Sequence, residues 1–323
     1  MTNLRETLEA RQVAIYFVAI LVAVAASFAL PTTGLALAVD PALAFMLFVT
    51  FLQVPLAGLG RALLQIRFLA ALAGANFVAI PVLVFGLLQF LPADPMLRLG
   101  VLMVLLAPCI DYVVTFAQIG RADARLLLAS TPALLVLQML LLPVYLGLFL
   151  GEDAARLVQV GPFLHAFVWL IAIPLALAAV VQFGATRNSA VGRVREGLGV
   201  MPVPATALVL FLVFAAVVPQ LGLAVDGALR VVPIYVAYAV AAPVVGWFVG
   251  RLAGLDAPGA RATAFSSATR NSLVVLPLAF AVPGAVPLLP AVIVAQTVVE
   301  LVASLVYMRV MPRMGHREAL MSP

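Results

Sequence analysis

Two stretches of the sequence place thiol, charged and amide side chains inside long apolar segments. The first, 105–118, contains Pro108, Cys109 and Asp111. The second, 263–277, contains Arg270 and Asn271, and a further apolar run contains Glu300. Burying a charge in the middle of a bilayer costs about 2.5–3.5 kcal/mol on insertion scales, so such residues mark functional sites by default. These stretches are therefore where binding chemistry is expected.

Each of these side chains has a definite chemistry. The thiolate of Cys109 is a soft ligand. Carboxyl groups such as those of Asp111 and Glu300 serve as proton carriers in membrane pumps and transporters. The guanidinium of Arg270 pairs with a carboxylate or binds an anion. Because Asp111 and Arg270 have opposite charges, we expect them to pair, either as a static strut between two helices or as a functional pair that binds solute or relays protons.

The polar residues also recur at helical spacing, which predicts a lined cavity. Three stripes follow this spacing: Thr263, Ser266, Ser267, Arg270 and Asn271; Asp111, Thr115 and Gln118; and Gln296, Glu300 and Ser304. Polar stripes in membrane helices also serve helix packing alone. Pro108 removes a backbone donor and predicts a break in its helix, and Pro277 is a candidate for the matching break in the second stretch.

The composition indicates a polytopic membrane protein in a lipid bilayer. Of the 323 residues, 65% are hydrophobic and 10% charged, against about 25% charged in soluble domains. The pI of 10.0 does not indicate a nucleic-acid partner, because the arginines cluster in loops between apolar runs. No catalytic triad, metal-ligand spacing or phosphate-binding loop stands out, so we expect neither an enzyme nor a cofactor. One cysteine excludes an internal disulfide.

Apolar runs of membrane-spanning length predict ten transmembrane helices. They fall at 13–30, 39–58, 68–90, 97–119, 126–150, 157–183, 200–222, 228–250, 260–282 and 286–309. The expected fold is all-α, with two inverted five-helix repeats, 1–155 and 156–323. In that arrangement the fourth and ninth spans are equivalent, and these are the two spans with polar, interrupted centres.

The arginines predict the orientation of the chain in the cell membrane. Fourteen of the eighteen lie in the tails and loops of one side, whereas the other side has Arg98, Arg156 and Arg230. By the positive-inside rule both termini are expected to be cytoplasmic.

Four short motifs resemble those of the arsenite efflux permease family, within the bile acid/sodium symporter superfamily. They are Leu106-Ala107-Pro108-Cys109, Gly120-Arg121-Ala122-Asp123, Ser267-Ala268-Thr269-Arg270-Asn271 and Val298-Val299-Glu300-Leu301-Val302. The resemblance implies discontinuous, crossing helices 4 and 9, a core domain of spans 3–5 and 8–10, and a panel domain of spans 1, 2, 6 and 7. It ties Cys109 and Glu300 to arsenite transport. Asp111 and Arg270 depart from the family pattern.

These observations predict a secondary transporter that exports arsenite. Cys109 is expected to ligate As(III) transiently and Glu300 to titrate. Asp111, Thr115, Ser267, Arg270 and Asn271 are expected to line the site. Because the guanidinium of Arg270 is expected where a sodium ion would sit, the coupling ion is expected to be H⁺ rather than Na⁺. Two alternatives stay open: a symporter of a small organic anion held by Arg270 and Asn271, and a receptor or scaffold that transports nothing.

Overall fold

The computed structural model describes residues 2–53, 65–109, 112–151, 161, 164–165, 168–280 and 282–315. Within these ranges the chain forms helices and no strand. The α-helices are α1 Thr2–Ala29, α2 Val39–Phe51, α3 Ile66–Gly74, α4 Ile80–Leu88, α5 Pro95–Leu105, α6 Val113–Ile119, α7 Ala124–Leu150, α8 Ile173–Ala185, α9 Ser189–Leu198, α10 Pro202–Val217, α11 Val225–Leu252, α12 Ala257–Ala268, α13 Ser272–Phe280 and α14 Leu288–Val310.

Eight helical segments in the described ranges are long and apolar enough to cross a membrane. They are Leu4–Ala29, Thr33–Phe51, Ile66–Leu88, Ala133–Leu150, Val168–Ala185, Pro202–Gln220, Val225–Leu252 and Leu288–Arg313. They correspond to eight of the ten predicted spans and confirm a multi-pass membrane protein. The two predicted spans missing from this set are the fourth and the ninth. Each consists of two short helices, α5 with α6 and α12 with α13.

Aspartate side chains fix the first residues of three helices, α5, α7 and α12. Asp94 accepts hydrogen bonds from the backbone amides of Met96 and Leu97 at 2.9 and 3.0 Å, and so caps α5. Asp123 caps α7, and Asp256 caps α12 by accepting from the amide of Gly259 at 2.9 Å. A side-chain oxygen at this position satisfies an amide that has no partner in the helix. The caps therefore set where these three helices begin.

The third predicted span is interrupted by a single π-helical turn. Residues Ala75–Ala79 form this turn, between α3 and α4. Such turns inside α-helices frequently occur at functional sites because the extra residue redirects a side chain. Here the turn contains Asn76, which is completely buried.

The chain divides into two compact units. The first comprises Met1–Ala57, Gln159–Val225 and Leu276–Ala291; the second comprises Gly58–Val158, Asp226–Val275 and Val292–Pro323. Apart from 276–291, this grouping places spans 1, 2, 6 and 7 in one unit and spans 3–5 and 8–10 in the other. The repeat boundary between residues 155 and 156, and the inverted relation of the two halves, stay predictions.

Each unit has its own packing. In the first unit α1 and α2 pack against α10, and Gln182 of α8 donates to the carbonyl of Phe51 at 2.9 Å. In the second unit α11 lies very close to α12. A Cβ built on Gly246 would be 2.6 Å from Ser267 Oγ and 2.8 Å from the carbonyl of Thr263. Small residues permit such close approach of membrane helices.

Candidate functional site

The fourth and ninth predicted spans are both broken, and their breaks pair with each other. Helix α5 ends at Leu105 and α12 ends at Ala268, after which Thr269 is extended, with φ −108° and ψ 138°. Pro108 and Arg270 form an antiparallel β-bridge. The amide of Asn271 donates to the carbonyl of Ala107 at 2.7 Å, and the amide of Cys109 donates to the carbonyl of Thr269 at 3.1 Å. Each break thus satisfies backbone groups of the other, as non-helical backbone at membrane depth requires.

The break in the fourth span lies at Pro108, as the sequence predicts. The break in the ninth span lies at 269–271, whereas Pro277 is inside α13, so the interpretation of Pro277 as the matching break is wrong. The physical reason is that Arg270 and Asn271 donate their amides to Glu300 and Ala107 rather than to carbonyls of α12. For the same reason the predicted helical stripe from Thr263 ends before Arg270 and Asn271.

The guanidinium of Arg270 is completely buried and lies among oxygen acceptors. Its Nη1 donates to the carbonyl of Leu105 at 3.3 Å, at the C-terminus of α5. Its Nη2 donates to Asn76 Oδ1 at 2.8 Å and to the carbonyl of Ser266 in the last turn of α12. Helix C-termini carry partial negative charge, so a cation there is favourable. The Arg270 side chain therefore acts as a tethered cation at the ends of two half-helices.

Glu300 connects the two broken spans to α14. Its Oε1 accepts from the hydroxyl of Tyr112 at 2.7 Å, and its Oε2 accepts from the amide of Arg270 and from Gln296 Nε2, both at 2.6 Å. The Glu300 side chain is 2% exposed. A tyrosine hydroxyl both donates and accepts. The hydroxyl of Tyr112 can consequently pair with Oε1 whether this carboxyl group is ionised or protonated.

Cys109 lies in the extended segment of the fourth span, directly after Pro108. It is 1% exposed, and its amide is held by Thr269. Among the described residues no group of three His, Cys, Asp or Glu side chains is arranged to hold a metal ion. Any soft ligand bound here would meet a single thiol.

Besides Arg270, whose Nε has no partner, three buried polar side chains near the breaks have atoms without a hydrogen-bond partner among the described residues. They are Asn271, through both Nδ2 and Oδ1, and Ser267 and Ser272, through Oγ. Ser272 is the first residue of α13. A helix N-terminus carries partial positive charge and unpaired amides. Asn271 and Ser272 together therefore offer both donors and acceptors to a solute.

The other predicted site residues are placed as follows. Thr115 is half-buried on α6, and Ser267 is fully buried on α12, where its carbonyl accepts from the hydroxyl of Tyr238 at 2.6 Å. Gln118 is exposed at the end of α6. Asp111 lies outside the described residues, so its pairing with Arg270 stays a prediction.

Sequence reasoning underrated two residues of the site. Asn76 accepts from Arg270 and donates to Ser266 Oγ at 2.9 Å. Tyr112, which contacts Glu300, was not singled out. The available signal for Asn76 was a lone amide in the centre of the third apolar run. For Tyr112 it was a hydroxyl immediately after the predicted break.

Comparison with known proteins gives one family. The family model described as Sodium Bile acid symporter family matches residues 40–225, which is more than half of the chain. The matched region includes the broken fourth span and ends before Arg270 and Glu300. A search of curated proteins finds no match.

Proposed function

Because the chain belongs to the sodium bile acid symporter family, and is on that ground a membrane transporter, we propose that it exports arsenite in exchange for protons. The observation that carries the proposal is the position of one thiol and one carboxyl group at the paired breaks. Cys109 and Arg270 lie in the extended backbone where the spans meet, and Glu300 accepts from the amide of Arg270. Broken membrane helices of secondary transporters bind solutes and coupling ions at such points.

The thiol supplies affinity for trivalent arsenic. Arsenous acid, As(OH)₃, reacts with the Cys109 thiol to form an S–As bond. One As–O bond breaks, and the hydroxyl leaves as water with the thiol proton. The reverse reaction releases the cargo, and no atom changes oxidation state. Asn271 and Ser272 have buried polar atoms without partners in the described structure, and these are suited to the remaining hydroxyl groups. A single thiol binds more weakly than three, which suits a carrier that must release its cargo.

Glu300 is the group proposed to carry the exchanged proton. Its Oε2 is occupied by two N–H donors, whereas Oε1 contacts only the hydroxyl of Tyr112 among the described residues. With a proton on Oε1, Glu300 would donate to the hydroxyl oxygen of Tyr112 instead of accepting from it. Since Tyr112 precedes α6 and Arg270 precedes α13, the change reaches both broken spans. Exported arsenous acid is mostly uncharged at neutral pH, so accumulation against a gradient requires such a coupled ion.

Arg270 supports protons over sodium as the coupling ion. Sodium and other hard cations are bound by oxygen ligands, and helix C-termini and unwound carbonyls provide them in secondary transporters. Here the oxygens of Leu105, Ser266 and Asn76 already accept from one guanidinium. A sodium ion at this position would have to displace a buried cation that is covalently attached to the chain.

Arsenite binding to purified protein tests the proposal. Equilibrium dialysis with arsenite, followed by arsenic quantification, should give one reversible site per chain in the wild type. Cys109→Ser keeps the size and removes the soft ligand, so binding should fall at least tenfold. Gln118→Ala, which leaves Cys109 intact and changes an exposed side chain on α6, should bind as the wild type does. Equal binding by Cys109→Ser would contradict the proposal.

A second candidate is a symporter of an organic anion, and one observation favours it. Asn271 and Ser272, with unpartnered polar atoms, lie at the N-terminus of α13, where a carboxylate is stabilised. Arg270 is less suited to hold that anion, because its Nη groups already donate to three oxygens. A bile acid is a suitable probe. On this alternative its uptake would survive Cys109→Ser and fall in Asn271→Ala.

A further inference from the structure

A polar cavity lies in the first unit. It has a volume of about 530 Å³. Its wall includes Arg5, Gln53, Gly192, Arg195, Glu196 and Gly199. These residues come from the start of α1, the end of α2 and the segment around α9. By the arginine distribution all of them belong to the side of the chain predicted to be cytoplasmic.

The guanidinium groups of Arg5 and Arg195 both have N–H donors without an acceptor in the described part of the chain. Arg5 uses Nε for Glu9, at 2.7 Å, and Nη2 for Gln53 Oε1, at 3.1 Å. Arg5 Nη1 donates to no described residue and lies beside Gly199 in the cavity wall, where a built Cβ would be 4.0 Å from it. The guanidinium of Arg195 has no hydrogen bond or ion pair within the described part of the chain. With Glu196, the lining carries a net charge of about +1.

The surroundings of the cavity are typical of a membrane interface. Helix α9 carries Arg193 and Arg195 together with Val194, which is 58% exposed. At the end of α8 the guanidinium of Arg187 lies 4.0 Å above the ring of Phe183, itself an exposed side chain. Short helices with arginines on one side and apolar residues on another lie at the headgroup level of the bilayer.

We propose that this cavity binds the phosphodiester headgroup of a monoanionic phospholipid from the cytoplasmic leaflet, with Arg5 and Arg195 donating to the phosphate. Guanidinium groups bind phosphate oxygens with directed N–H bonds. Basic pockets between helices on the cytoplasmic side are suited to anionic headgroups. Glu196 in the same wall disfavours a ligand with two or more negative charges.

Thermal unfolding of the full-length protein in detergent tests this binding. Phosphatidylglycerol, phosphatidylethanolamine or phosphatidylcholine is added at equal mole fraction, and a fourth sample receives inorganic phosphate alone. Phosphatidylglycerol should raise the melting temperature of the wild type by about 2–4 °C relative to phosphatidylcholine. Arg195→Gln and Arg5→Gln should each lose most of that increase. Arg193→Gln, on the same helix but outside the cavity, should keep it.

Several results would overturn the proposal. Equal stabilisation of the wild type and Arg195→Gln by phosphatidylglycerol would exclude the cavity as the binding site. Equal losses in Arg193→Gln and Arg195→Gln would indicate general surface charge. A shift with inorganic phosphate as large as that with phosphatidylglycerol would identify a free anion as the ligand. An equal shift with phosphatidylethanolamine would exclude selection for a monoanionic headgroup. If a cavity variant does not fold, native mass spectrometry of wild type and Arg193→Gln must still show retained phosphatidylglycerol in both.

Discussion

The amide of Arg270 donates a 2.6 Å hydrogen bond to Glu300 Oε2, and the guanidinium of Arg270 donates to the carbonyl of Ser266. In a continuous α-helix that carbonyl would accept from the amide of Arg270 itself. The side chain therefore replaces the backbone donor that the break removed. Arg270 thus ends α12 by donating its amide to Glu300, and its side chain satisfies the carbonyl of Ser266 that the break leaves without a backbone donor.

Replacing Arg270 by Gln should expose a site for a small cation. The carbonyls of Leu105 and Ser266 and Asn76 Oδ1 would lose their shared donor. Leaving buried acceptors unsatisfied should lower the free energy of unfolding by about 2–5 kcal/mol. Sodium should then restore part of the stability, because these oxygens are hard ligands. The measurement is the melting temperature in sodium chloride against choline chloride.

The wild type and Arg251→Gln are the controls for this sodium effect. Arg251 donates to the carbonyl of Leu255 at 2.9 Å, at the end of α11 and away from the breaks. Neither control should gain stability from sodium beyond that from choline. A sodium-specific increase in the wild type would contradict the role assigned to Arg270.

Asn76 should position the guanidinium of Arg270. Asn76→Ala removes the acceptor for Nη2 and the donor to Ser266 Oγ, and should cost about 1–3 kcal/mol of unfolding free energy. Asn76→Asp keeps an acceptor for Arg270 and should retain more transport than Asn76→Ala. Denaturation and uptake measured on both variants check this order. Equal losses of uptake in the two variants would show that the contact with Arg270 is not what matters.

The Asn76 contact also shows where sequence reasoning reaches its limit. Its partner Arg270 is 194 positions away in the chain, and spacing along a helix carries no information about such a contact. The break at Pro108 was predictable because proline acts locally on its own helix. The break at 269–271 has no proline. It depends on acceptors supplied by Ala107 and Glu300, which only the folded chain brings close.

Apolar length predicted most of the fold, because the need to cross a bilayer is a local property. Eight predicted spans recur as membrane-length helices in the described ranges. Helix α9 was not predicted, since its arginines and glycines are typical of a loop. The cost of burying a charge in lipid was enough to single out Arg270 and Glu300 from the sequence. It did not indicate which groups they would contact. The predicted pairing of Arg270 with Asp111 left out the oxygens of Leu105, Ser266 and Asn76.

Replacing Glu300 by Gln should abolish proton-driven transport while leaving the fold intact. The amide has nearly the same size: its oxygen can accept from the amide of Arg270 and from Gln296, and its NH₂ group can donate to the hydroxyl of Tyr112. It neither takes up nor releases a proton. Arsenite uptake driven by a proton gradient should fall at least tenfold, and its dependence on pH should disappear. Uptake is measured in membrane vesicles over a range of pH.

Ser304→Ala is the matched control for Glu300→Gln. Ser304 is buried on the same face of α14, one turn further along, and its Oγ has no partner among the described residues. This variant should keep the pH dependence of the wild type. If Glu300→Gln kept it as well, Glu300 would not be the exchanged proton's carrier.

Replacing Gly246 by Ala should separate α11 from α12. The new methyl group would lie within 2.8 Å of Ser267 Oγ and of the carbonyl of Thr263. The carbonyl belongs to the backbone of α12, so relieving this contact requires the helices to move. Overpacking of this kind costs about 1–3 kcal/mol. Gly86→Ala, whose Cβ would meet nothing within 4 Å, should not destabilise. Melting temperatures that fell equally in both variants would contradict close packing at Gly246.

Arsenite uptake into everted membrane vesicles tests the proposed exchange of arsenite for protons. Wild type and Cys109→Ser are compared, first with a proton gradient, acidic inside, and then with a sodium gradient alone. Uptake by the wild type should require the proton gradient and should fall at least tenfold in Cys109→Ser. Uptake driven by sodium alone, or unchanged in Cys109→Ser, would contradict the proposal.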